Sequence, residues 1–164
     1  MSSDFETFVR DRSAALLRYG YVLSGNRHDA ADLTQEALAR LGQSWHRVTS
    51  DDPEGYVRTT MARLHVSWWR RRRREQLVGV LPERGYADEG IARAGGDIGL
   101  WRALAALPPR QRVVLVLRYY EQRSDEEIGA LLGISRGTVR SQAARGLDKL
   151  RAAAADSVDE LTRR

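Results

Sequence analysis

Five consecutive arginines, Arg70, Arg71, Arg72, Arg73 and Arg74, directly follow two tryptophans, Trp68 and Trp69. A guanidinium is a planar fork of donors that matches a phosphate bidentately and stays charged at any physiological pH. Five in a row cannot all be paired in a core, so part of the run is available to phosphates. Binding of that kind releases counterions and weakens as salt rises. Neighbouring aromatic rings can stack on unpaired bases, at ~1–3 kcal/mol per base. Trp68 falls on the apolar stripe of its helix and is expected in the core; Trp69 is divided between core and stacking. Arg58 and Arg63 extend the basic surface. Residues 53–74 hold seven arginines against one glutamate, +6 locally, which exceeds the +5 of the whole chain.

A second basic surface lies at residues 124–151, SDEEIGALLGISRGTVRSQAARGLDKLR. Ser124 is a good N-cap, and Glu127 three residues on can return the hydrogen bond. Asp125, Glu126 and Glu127 place negative charge at the positive end of the helix dipole. Gly133 ends that helix and Ser135 caps the next. Val139, Ala143, Leu147 and Leu150 form the expected buried stripe of the second helix. Away from it stand Gly137, Thr138, Ser141, Arg145 and Asp148, with Arg136 at the tip and Arg140 on the flank. A short helix, a tight turn and a basic second helix form the pattern of a helix-turn-helix, whose second helix enters the major groove. An ordinary helical hairpin with a solvated basic face is the alternative at this point.

Other chemistry is missing from the residues. There are no cysteines, which removes disulfides, thiolate zinc sites and cysteine nucleophiles. His28, His46 and His65 have no metal-ligand spacing and read as surface or helix-end histidines. No nucleotide loop, zinc-protease motif or nucleophile elbow occurs. No catalytic residue, metal or cofactor is expected. The basic residues are 26 arginines and a single lysine, Lys149, a bias that a GC-rich genome explains as readily as phosphate binding. No apolar run approaches the roughly 18 residues of a membrane span, and the first residues carry no signal core. The expectation is a cytoplasmic protein without membrane insertion.

The elements that must position these residues are all helical. Helices are expected over residues 4–23, 28–46 and 53–74, with Asp52 as cap and Pro53 in the first turn of the third. The second of these is acidic on its outer face, where Asp29, Asp32, Gln35 and Glu36 stand with Arg40. Residues 75–96 hold five glycines and a proline and read as a flexible linker, ~25 Å in r.m.s. span. Helices at residues 100–107 and 110–121 precede the hairpin, and the tail after Arg151 extends its last helix. The fold class is therefore all-α: a three-helix domain over residues 1–74, the linker 75–96, a four-helix domain over 97–155, and a tail at 156–164.

The motifs at residues 29–41 (DAADLTQEALARL), 52–74 (DPEGYVRTTMARLHVSWWRRRRR) and 107–151 together resemble a bacterial RNA polymerase sigma factor. The type is the compact extracytoplasmic-function class that keeps only regions 2 and 4, and within it the actinobacterial sigma-E-like subgroup. The resemblance spans nearly all the chain except linker and tail. It implies that Asp29, Asp32, Gln35 and Glu36 meet core RNA polymerase, its β and β′ subunits being the partners, with a basic coiled coil of β′ opposite these residues. It implies that Arg58, Arg63, Trp69 and Arg70 to Arg74 bind and help melt the −10 element, with base capture near residues 49–52. Arg136, Thr138, Arg140, Ser141 and Arg145 would read the −35 element. The family often has asparagine at Arg63 and a basic residue at Gln142. Many of its members are held by an anti-sigma factor, so such a partner is a possibility here. A helix-turn-helix regulator acting without polymerase and a pure protein-interaction module are the competing readings; the first does not account for the acidic helix or the arginine-rich helix in a separate domain, and the second predicts no salt-dependent DNA binding.

Overall fold

The computed structural model describes residues 2–47, 52–77 and 98–163, and every regular element among them is helical. The chain divides into two compact units, Met1–Gly85 and Tyr86–Arg164. The division falls inside the stretch expected to be a linker, of which residues 78–96 lie outside the described residues, as do residues 49–51 of the expected base-capturing loop.

The first unit packs α1 (Ser2–Ser24), α2 (Arg27–Ser44) and α3 (Pro53–Leu77) against one another. Its core holds Leu16, Tyr19, Leu23, Leu33, Ala37, Leu41, Val57 and Met61, each fully buried. Phe5 and Phe8 meet the Trp45 ring at centroid distances of 5.4 and 5.8 Å, joining the start of α1 to the end of α2. Gly25 turns the chain between those helices at φ 66°, where a side chain would be strained. Asn26 then caps α2 by accepting the Asp29 amide at 3.1 Å.

Two expectations for α3 need correction. The helix runs to Leu77, three residues into the expected linker. Glu75, Gln76 and Leu77 carry no glycine or proline, so nothing in them stops a helix. His65 is not a surface histidine but is buried, at 6% exposure. It lies four residues after Met61 and so shares the buried face, which is broad because α3 meets both α1 and α2.

The second unit contains α4 (Ile98–Ala106), α5 (Pro109–Leu115), a π-helical turn (Val116–Tyr120), α6 (Asp125–Leu132) and α7 (Arg136–Thr162). Leu107, Val113, Val114, Leu115, Val116, Leu117, Ile128, Leu132, Val139 and Ala143 make its core. The β-branched run at 113–116 is helical because Pro109 presets the first turn and both faces of the run are buried. The helix expected over 110–121 is interrupted: the Glu121 amide donates to the Val116 carbonyl five residues back, at 3.0 Å. The buried stripe of α7 also differs. Gly146 is buried where Leu147 and Leu150 are only half-buried, because Leu115 of α5 occupies the space over Gly146, 2.8 Å from where a Cβ would stand.

Candidate nucleic-acid interface

α3 sorts its arginines by angle. At 100° per residue, Val57, Met61, Leu64, Trp68 and Arg72 form one stripe. The first three are buried and Trp68 is half-buried, so Arg72 continues the inward face by one turn. There its two terminal nitrogens donate to the two carboxylate oxygens of Asp29 on α2, at 2.7 and 2.8 Å. Arg63, Ser67, Arg70 and Arg74 form the opposite stripe, and all four are exposed. Arg71 is exposed on the flank. Arg73 lies over the half-buried Trp69 ring, 5.4 Å from its centroid, so the tryptophan supports a cation instead of standing open.

Arg58 has a different setting. It donates to Glu54 at 2.7 Å and lies over the Tyr19 ring at 5.5 Å. Glu54 also accepts from Arg12 of α1 at 2.6 Å. The glutamate raises the Arg12 pKa, through the hydrogen bond first and its charge second. Asp29 likewise raises that of Arg72 by its hydrogen bonds, with burial opposing and charge assisting. Of the residues expected at −10 DNA, Arg58 pairs with Glu54 and Arg72 with Asp29, while Arg63 and Arg70 to Arg74 are all exposed, Arg73 against the Trp69 ring.

α2 keeps Ala30, Leu33, Thr34, Ala37 and Leu41 inward. Asp32, Gln35 and Glu36 are exposed together on its outer side, Glu36 accepting from Arg40 at 3.0 Å. Asp29, expected with them, is set apart: its side chain is only 14% exposed.

In the second unit the expected caps are present. Ser124 accepts the Glu127 amide at 3.1 Å, and the Glu127 carboxylate accepts the Ser124 amide at 3.3 Å. These bonds to Ser124 hold the Glu127 carboxyl below its ordinary value, with the Arg123 charge adding to them. Gly133 turns at φ 68°. Ser135 caps α7 through the Thr138 amide at 3.1 Å, and its hydroxyl shares a 2.9 Å hydrogen bond with that of Thr138. Arg136, Arg140, Ser141 and Arg145 are exposed and Thr138 half-exposed, at the start and along one side of α7. Sequence reasoning missed one contributor. Asp125 forms an ion pair with Arg118 at 3.3 Å and accepts from Arg140 at 3.4 Å, so the first residue of α6 orients an arginine of α7. Its carboxylate was legible as a helix-dipole partner; the cross-helix pair depends on how α6 meets α7.

Two helical units, one bearing an arginine-faced bundle and the other a helix-turn-helix, have the features of a nucleic-acid-binding protein. Residues 6–75 match the model of Sigma-70 region 2 and residues 103–152 that of Sigma-70 region 4. The chain is 40% identical over 150 residues to the RNA polymerase sigma-E factor of Streptomyces coelicolor, covering 90% of this chain and 84% of that one. It is 37% identical over 159 residues to the ECF RNA polymerase sigma factor SigE of Mycolicibacterium smegmatis, covering 90% and 60%. The fold is that of the sigma factor RpoE of Bartonella quintana, solved with the anti-sigma factor NepR: TM-score 0.65, 22% identity, 92% of this chain and 96% of that one. The chain belongs to the sigma-70 family of RNA polymerase sigma factors, in its extracytoplasmic-function branch. As such it binds core RNA polymerase, directs it to −35/−10 promoters and assists DNA melting.

Proposed function

We propose a division of this work between the two units, residue by residue. Asp32, Gln35 and Glu36 on α2 meet a basic surface of the polymerase β′ subunit. Arg63, Arg70, Arg71, Arg73 and Arg74 on α3 hold the −10 DNA, with Trp69 as the platform under Arg73. Arg136, Thr138, Arg140, Ser141 and Arg145 on α7 read the −35 element, Arg140 being aimed by Asp125. The protein contributes binding and positioning, and polymerase contributes the catalysis. Its place of work is the cytoplasm; among the described residues no helix is long and apolar enough to cross a membrane. An anti-sigma factor, the class of partner bound to the Bartonella relative, would act by covering these faces.

One observation supports the division above others. In the first unit, six exposed arginines, Arg63 and Arg70 to Arg74, share α3 with one exposed carboxylate, Glu75, whereas the exposed charges of the adjacent α2 are mixed, Asp32 and Glu36 with Arg27 and Arg40. A helix face of nearly one sign beside a face of mixed charge suits two different partners, a polyanion on α3 and a protein surface on α2. The test adds purified protein to core polymerase and looks for promoter-specific transcripts and co-elution with core. Transcripts that appear with the parent and vanish with Asp32→Lys plus Glu36→Lys fit the assignment; transcripts unaffected by that pair overturn the α2 part of it.

A further inference from the structure

The Asp29–Arg72 pair joins a residue expected to touch polymerase to one expected to touch DNA. We infer that Asp29 is a positioning residue for the DNA-facing arginines: it pins Arg72 to α2 and thereby sets the direction in which Arg70 and Arg74 point. The inference rests on the sigma-factor reading and deepens it.

Three features carry the inference. First, the contact is bidentate and short, with both carboxylate oxygens engaged at 2.7 and 2.8 Å. A fork of this kind fixes orientation as well as distance, which a single charge contact does not. Second, Asp29 is held from its own side. Its amide is taken by the Asn26 side chain at 3.1 Å, and it stands in the first turn of α2, where the helix dipole favours a carboxylate. With its side chain 14% exposed, it has little surface to offer polymerase. Third, residues 70–75 are all exposed, so burial does little to fix the direction of this part of α3. The fork supplies a tertiary tie there. On the helix, Arg70 and Arg74 lie roughly 160° either way from Arg72. With Arg72 turned to α2, those two face away from the bundle.

The arrangement gives Arg72 a role distinct from its neighbours. It is not a phosphate ligand; Arg70 and Arg74 are. The test uses the full-length chain with core polymerase. It measures core affinity, promoter opening at saturating sigma factor, the salt dependence of promoter binding, and thermal stability. Asp29→Asn is expected to keep core affinity within about twofold and to slow opening about five- to tenfold. Arg72→Asp is expected to be at least as defective in opening. Combining Asp29→Arg with Arg72→Asp rebuilds the pair in reverse and is expected to recover opening to within about threefold of the parent. Arg72→Gln is expected to leave the slope of log affinity against log salt unchanged, while Arg70→Gln lowers it by about 0.9, the value of one phosphate contact.

Several results would overturn the inference. Core binding weakened tenfold by Asp29→Asn, with opening at saturation intact, would make Asp29 a polymerase contact. A reversed pair as defective as Arg72→Asp alone, or a salt slope lowered by Arg72→Gln, would put Arg72 on a phosphate. A fall in thermal stability with normal opening would leave the pair a structural tie with no part in DNA positioning. A parent chain that neither binds core nor opens a promoter would sink the sigma reading itself, and the inference with it.

Discussion

At the scale of single residues, two positions around the helix-turn-helix have measurable consequences. Gln122 has φ 53°, in the left-handed region, between the π-helical turn and α6. A side chain there costs roughly 1–2 kcal/mol, part of which glycine returns as lost chain entropy. Gln122→Gly is therefore expected to raise stability by about 0.5–1 kcal/mol in denaturant unfolding. Glu127 gives a pH dependence. Its carboxyl is held below the ordinary glutamate value of ~4.3, so the ionised form is favoured by folding. The contribution is complete above that ordinary value and disappears as pH falls through the lower folded value. Amide protection factors at residues 124–128, taken relative to the intrinsic exchange rate at each pH, should fall on acidification across that window, and Glu127→Gln should remove the pH-dependent part. The capping box was legible in the sequence because its partners sit three residues apart on one helix. The left-handed Gln122, the buried His65 and the Asp29–Arg72 fork were not. Each depends on a neighbour supplied by another element or on a turn whose course is set by packing.

At the scale of elements, the helix-turn-helix depends on one close approach. A Cβ on Gly129 would stand 2.7 Å from the carbonyl oxygen of Ile134, in the turn between α6 and α7. The obstacle is backbone, which yields less readily than a flexible side chain. Gly129→Val is expected to cost about 1–3 kcal/mol by overpacking and to splay α7 from α6. A thermal melt would show the loss, and −35 duplex binding should fall with it while core affinity through the first unit holds. Helix starts were well marked by Ser124, Ser135 and the prolines, and the end of α6 by Gly133. The end of α3 was not, since composition changes at residue 75 before the structure does. The break in the helix after Leu115 has no local signal either, because Val116–Tyr120 is rich in residues that suit any buried segment. The half-burial of Leu147 and Leu150 follows from the fit of Leu115 onto Gly146, a contact between helices 31 positions apart that no periodicity encodes.

At the scale of the whole molecule, charge placement matters more than the net +5. Changing Arg70 to Arg74 together to alanine is expected to reduce promoter opening by a factor of ten or more while core affinity changes little. Asp32→Lys with Glu36→Lys should do the reverse, weakening core affinity and sparing opening once the complex is saturated. Parallel binding and opening assays check both; equal effects in the two assays would count against separate faces. The order of the motifs made the family legible, and the alternation of caps and apolar stripes made the all-α fold so. Which arginines look outward had to come from three dimensions.

The π-helical turn at Val116–Tyr120 carries a further consequence. It holds one residue more than an α-helix would use for the same arc. Each residue of an α-helix advances the chain by about 100° around its axis. The surplus residue therefore works as a phase adjuster, setting the angle at which the backbone leaves the core toward Ser124. Chain length at this one point, and not only side-chain identity, is under constraint: a shortening by a single residue would keep every recognition side chain present and turn the whole reading head away from its groove.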